Sequence, residues 1–121
     1  MTLREVRIER DVPVEMRDGC HLYTDVYLPK GEQPAPGLLM RLPYAKELAE
    51  TNVYAHPSWF AARGYVVAVQ DVRGRGASEG NFEPFLHEGN DGYDSVEWLA
   101  SRKECSGKVD MYGFSYVGAT Q

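Results

Sequence analysis

Val109-Asp110-Met111-Tyr112-Gly113-Phe114-Ser115-Tyr116-Val117-Gly118 is the stretch on which the reading of this chain turns. A short apolar strand runs into a glycine, presents a serine two residues later, and meets a second glycine where a helix should begin. A serine on a sharp strand-to-helix turn stands clear of its neighbours. Small residues on both sides let the backbone take strained angles and let the helix pack close to the strand. That makes Ser115 a candidate nucleophile, since acyl transfer needs an exposed hydroxyl that a base can deprotonate. In the usual G-x-S-x-G spacing the second glycine would fall at Val117, and Gly118 supplies it one place later. Glycine-flanked serines also sit in ordinary turns, so the motif gains meaning only from the rest of the chain.

Upstream, Leu3 to Met16 alternates apolar and polar through Val6, Ile8, Val12 and Val14. Asp18-Gly19 signals a two-residue turn, and His21 to Leu28 alternates again through Tyr23, Asp25 and Tyr27. This predicts an antiparallel hairpin with one face buried. Pro29 to Pro36 reads as a surface loop and Gly37 to Leu42 as a third strand ended by Pro43. Lys46 to His56 has no clear period and reads as a loop; Pro57 to Arg63, stopped by Gly64, reads as a short helix. Tyr65-Val66-Val67-Ala68-Val69 is a run without alternation, which predicts a strand covered on both faces in a parallel sheet. Asp91 to Ser101 predicts a helix, capped by Asn90 or Asp91, with its apolar stripe on Tyr93, Val96, Leu99 and Ala100. Val109 to Tyr112 is the next strand. The whole reads as the front half of an open α/β sheet that begins antiparallel and turns parallel.

A chain of 121 residues can form one domain with a real core, and a net charge of −5 argues against nucleic acid or an anionic membrane surface as partner. No apolar run reaches bilayer-spanning length, and Met1-Thr2-Leu3-Arg4-Glu5 begins no signal-peptide core. Cys20, beside a turn, and Cys105, in a predicted loop, fit a reducing cytoplasm better than a disulfide framework. The three histidines, His21, His56 and His87, form no ligand pair with one another or with the cysteines, so neither a metal nor a cofactor is expected.

Several stretches then converge. Met16-Arg17-Asp18-Gly19, Thr24-Asp25-Val26-Tyr27-Leu28-Pro29, Arg41-Leu42-Pro43-Tyr44, Gln70-Asp71-Val72-Arg73-Gly74-Arg75-Gly76-Ala77-Ser78-Glu79-Gly80, Asp91-Gly92-Tyr93-Asp94 with Glu97-Trp98-Leu99-Ala100, and Gly113-Phe114-Ser115-Tyr116-Val117-Gly118 occur in this order. Together they closely resemble the amino-terminal part of the X-Pro dipeptidyl-peptidase-like serine hydrolases, a group that includes the CocE/NonD hydrolases and the α-amino-acid ester hydrolases. The displaced glycine belongs to that group's pattern. The resemblance implies one partial α/β-hydrolase domain over residues 1–121: an antiparallel hairpin, parallel strands and flanking helices, cut just after the nucleophile turn. It implies a serine hydrolase acting on a small ester, amide or peptide substrate. The backbone N–H of Tyr116, directly after the serine, is placed to donate to the oxyanion. The second donor in this family is a tyrosine hydroxyl, and the matching residue is Tyr44; without the resemblance Tyr44 reads as a surface tyrosine.

Other features read as structural. Asp71 to Ser78 looks like a phosphate loop but lacks its lysine arrangement, and Asp71 and Arg73 are expected to pair inside a tight turn. Glu79, Glu83, Glu88 and Asp91 read as a solvated loop, and Tyr93 and Trp98 as core. His87 precedes the serine, whereas in this fold the acid and the base follow it. The chain stops at Gln121, six residues past Ser115, so both would lie outside it, and negligible turnover is expected of this chain alone. A strand Val109–Tyr112 left at a sheet edge is expected to pair with another copy, to aggregate, or to be covered by a missing remainder. The rival reading is a non-catalytic α/β module that self-associates.

Overall fold

The computed structural model describes residues 5–31, 34–42, 56–82 and 87–111. In chain order these form β1 (Val6–Glu15), β2 (His21–Pro29), β3 (Ala35–Leu42), α1 (Pro57–Ala62), β4 (Val66–Asp71), α2 (Glu88–Ser101) and β5 (Cys105–Met111). One five-stranded sheet runs β1-β2-β4-β3-β5. Strands β1 and β2 pair antiparallel, as do β2 and β4, whereas β3 lies parallel to both β4 and β5. The predicted change from antiparallel to parallel pairing therefore falls at β4.

Strand β4 shows why a run without alternation means burial on both faces: every residue from Val66 to Asp71 is buried. Val67 and Val69 join Tyr27, Met40, Leu42 and Ala61 under α1. Val66 and Ala68 join Val26, Leu28, Leu39 and Leu99 under α2. Apolar surface removed from water on both sides stabilises the sheet by about 25 cal/mol per Å².

The hairpin differs from its prediction in a revealing way. Both faces of β2 are covered, and β1 carries a register shift between Glu9 and Val12, where Arg10 and Asp11 together oppose Asp25. The extra residue changes the parity of the strand. Val6 packs on the α1 face, but Val12 packs on the α2 face and Val14 joins Met16 and Leu22. The even alternation that suggested one buried face thus serves two. Asp11 holds the bulge at φ 51°, and buried Asp25 secures it by accepting from Asp11 N–H at 3.0 Å and from Arg10 Nη1 at 2.8 Å. The turn itself is one residue longer than predicted. Arg17, Asp18 and Gly19 bridge a Met16 N–H to Cys20 carbonyl bond of 2.8 Å, with Gly19 at φ 85°.

Element boundaries also move. Strand β3 begins at Ala35, inside the expected loop. Strand β5 begins at Cys105, a buried strand residue and not a loop residue. Helix α2 begins at Glu88 with His87 at its cap, which releases Asn90 and Asp91 from the capping role assigned to them. Its inner line is Asp91, Ser95 and Leu99, spaced four apart, while Tyr93 is 62% exposed and not core. Trp98 is half-buried and packs against the core as expected.

Replacing Asp25 with alanine removes the acceptor that holds the bulge and should cost about 1–3 kcal/mol, read as a lower urea midpoint. An unchanged midpoint would show that the bulge stands without it.

Candidate active site

Parallel strands put their carboxyl ends on one edge of a sheet, and α/β sites gather there. Leu42 at the end of β3 lies level with Asp71 at the end of β4, and the Val72 N–H donates to the Leu42 carbonyl at 2.9 Å. On its other side β3 pairs with β5, Leu39 opposite Met111. The predicted site residues follow directly in sequence from these two neighbours, Tyr44 after β3, Ser115 and Tyr116 after β5. All three lie outside the described residues, as do the strand residue Tyr112 and all of the predicted loop Lys46 to His56 except His56 itself.

The Asp71–Ser78 segment is described, and most of its backbone donors are already engaged within the protein. Gly74 N–H donates to the Glu79 carbonyl at 2.8 Å, Arg75 to Val72 at 3.0 Å, Ser78 to Arg75 at 3.0 Å, and Ala77 to Asp71 Oδ2 at 2.9 Å. A phosphate cradle needs such N–H groups free, so the structural reading of this segment holds. Gly76 sits at φ 53°, where a Cβ would come within 2.5 Å of all three Asp71 carboxyl atoms. The Asp71 carboxylate can fold under the turn only because that side chain is missing. Ser78 Oγ donates to the Asp71 carbonyl at 2.6 Å and accepts from Tyr23 N–H at 2.8 Å, which draws the loop over the start of β2.

Arg73 does not pair with Asp71 as expected. It forks to Asp91 on α2, Nε to Oδ2 at 2.9 Å and Nη2 to Oδ1 at 2.8 Å, and reaches Asp18 in the hairpin turn at 2.9 Å. Asp91 and Asp18 come from different elements, which spacing along the chain could not reveal. Arg17 beside it pairs with Asp94, Nη2 to Oδ1 at 2.8 Å. The hairpin turn, the β4 loop and α2 are thereby tied together by charge. Hydrogen bonds from Arg73 hold the Asp18 carboxyl below its ordinary value, and those from Arg17 do the same for Asp94.

The histidines have structural partners. His21 donates its N–H to Glu79 at 2.9 Å, His56 accepts the Ser58 N–H at 3.1 Å to cap α1, and the His87 carbonyl accepts the Asp91 N–H at 2.9 Å. Among the described residues no group of three or more His, Cys, Asp or Glu could hold a metal ion.

Sequence reading missed one buried residue near the carboxyl end of β3. Arg41 is wholly buried, and its Nε donates to Gln70 Oε1 at 2.7 Å. The same oxygen accepts Ser95 Oγ at 3.0 Å, and Gln70 Nε2 donates to Thr24 Oγ1 at 3.2 Å. A charged residue one place before the end of a strand carries no warning that it points inward; polar residues at Thr24, Gln70 and Ser95 in matching register were the available signal.

A profile for X-Pro dipeptidyl-peptidase (S15 family) matches residues 18–121. A cocaine esterase from Rhodococcus sp. (strain MB1 Bresler) is 40% identical over 116 residues, covering 94% of this chain and 20% of that protein. The solved structure of an α-amino acid ester hydrolase superimposes with a TM-score of 0.81 at 30% identity, covering 97% of this chain and 22% of that one. A CocE/NonD family hydrolase from Staphylococcus aureus gives 0.86 at 26% identity, covering 97% and 24%. The sheet is the leading part of an α/β-hydrolase sheet. The chain spans about a fifth of the length of the curated relatives it matches.

A carboxyl held below its ordinary value stabilises the fold above the unfolded value, near pH ~4, and loses that contribution as pH falls through the folded value. Thermal melts should therefore fall between about pH 5 and about pH 3, and Arg73→Met should flatten that dependence by removing the partner of Asp18. An equal slope in the variant would show that the clamp carries none of it.

Proposed function

Because the chain belongs to the X-Pro dipeptidyl-peptidase (S15) family, we propose that it supplies the leading part of the catalytic domain of a serine hydrolase. The reaction is cleavage of a small ester or amide through an acyl-enzyme on Ser115. A base takes the Ser115 proton as its oxygen attacks the carbonyl carbon. The oxyanion that forms is met by the Tyr116 N–H and the Tyr44 hydroxyl. The base then returns its proton to the leaving group, and water repeats the sequence to free the acid. Asp and His of the triad come from residues outside this chain. Two relatives whose names record ester hydrolysis favour an ester as substrate.

One observation supports this reading most directly: β3 and β5 are adjacent parallel strands. Their backbones lie about 4.8 Å apart. Tyr44 follows Leu42 by two residues and Ser115 follows Met111 by four, so chain length tethers them within about 7 Å and about 14 Å of those anchors. A hydroxyl nucleophile and a phenol donor can therefore meet at one edge.

The rival reading, a non-catalytic module that pairs with another copy, draws on the place of β5 at the sheet edge among the described residues. Lys108 in β5 would oppose such pairing. For compartment, the two free thiols, Cys20 and Cys105, favour a reducing cytoplasm. No helix among the described residues is long and apolar enough to cross a membrane.

In the full-length protein a fluorophosphonate probe should label Ser115, and Ser115→Ala should abolish labelling and lower kcat on the order of 10⁴-fold or more. Tyr44→Phe should lower kcat by roughly 10²- to 10³-fold with binding little changed. Unlabelled full-length protein would remove the serine-hydrolase reading.

A further inference from the structure

We propose that Arg41 is a positioning residue for hydrolysis: anchored to Gln70, it fixes the point at which β3 releases the chain toward Tyr44. This role presupposes Tyr44 as an oxyanion donor, as set out above. Arg41, Gln70 and Thr24 stand in one row across β3, β4 and β2, in register with one another. All three are buried, and Ser95 of α2, also buried, closes on the row from above. The amide of Gln70 has one orientation that serves every partner: its oxygen takes the Arg41 and Ser95 hydrogens while its nitrogen donates to Thr24. Three elements thus fix the Gln70 amide, and that amide holds the Arg41 Nε.

An arginine is an expensive choice for packing. Leu39, two places earlier on the same face, fills equivalent space among Leu28, Val66 and Leu99 without a charge. What the guanidinium adds is direction: a charge-assisted bond from the Nε–H of a rigid planar group. That constraint acts three residues before Tyr44. A donor displaced by about 1 Å can cost on the order of 10²-fold in rate, because the oxyanion is met only if the hydroxyl is already in place.

Kinetics of the full-length enzyme on a p-nitrophenyl ester test this through a double-mutant cycle of Arg41→Met and Tyr44→Phe. Arg41→Met should lower kcat about tenfold to a hundredfold with KM changed less than about twofold, and should cost about twofold or less in the Tyr44→Phe background. Arg41→Lys, which keeps charge without the planar Nε–H donor, should behave as Arg41→Met does. Equal losses in both backgrounds, or an unchanged kcat in Arg41→Met, would overturn the role. Gln70→Met leaves Arg41 in place but removes its acceptor together with the bonds to Ser95 and Thr24, and runs through the same cycle, so a misfolded Arg41→Met still leaves a decision. A Tyr44→Phe enzyme with undiminished kcat would sink the oxyanion reading itself, whereas a crippled one beside an unaffected Arg41→Met sinks this inference alone.

Discussion

Strand β4 leaves no side chain in water, and much of the molecule answers to that. Val67 and Val69 need a cover on one face, Val66 and Ala68 a cover on the other, and α1 and α2 supply them. Both helices are crossovers between parallel strands, so each begins at the carboxyl edge of the sheet and returns the chain to the opposite edge. The central strand's backbone must also be paired on both sides, by β2 and by β3. Covering β4 therefore builds the edge at which β3 and β4 end together.

Charge then fixes what apolar packing leaves loose. The hairpin turn lies beyond the sheet and could pivot. Arg17 joins it to Asp94, and Asp18 joins it through Arg73 to Asp91. Exposed pairs of this kind contribute little singly. The Arg73–Asp91 fork differs because Asp91 is buried and the two bonds are parallel. It works as the fixed post, and Asp18 is tied to it.

Periodicity along the chain read the apolar part of this architecture well. The unbroken run Tyr65–Val69 announced a central strand, found at Val66–Asp71, and Pro57 with Gly64 bracketed α1. It failed where polar residues face inward. Helix α2 turns Asp91 and Ser95 toward the sheet because Arg73 and Gln70 wait there, so an apolar stripe through Tyr93 pointed partly to solvent. Arg41 was overlooked for the same reason. Cys105 was read as loop because Ser106, Gly107 and Lys108 carry no strand pattern; pairing of Ala35 with Cys105 decides the matter, and that is a contact across the fold. The family motifs named Ser115, Tyr116 and Tyr44, and the sheet order adds that two adjacent parallel strands lead to them.

The bulge at Arg10 and Asp11 limits how this protein can change over evolutionary time. Each half of β1 is spelled for a different layer, Val6 for one and Val12 and Val14 for the other. Losing one codon between Glu9 and Val12 would leave every remaining letter intact and still turn one half of the strand inside out. Substitutions at the exposed flanking positions Arg7 and Pro13 are cheap by comparison. Drift in this strand should therefore run through replacements and spare the reading length.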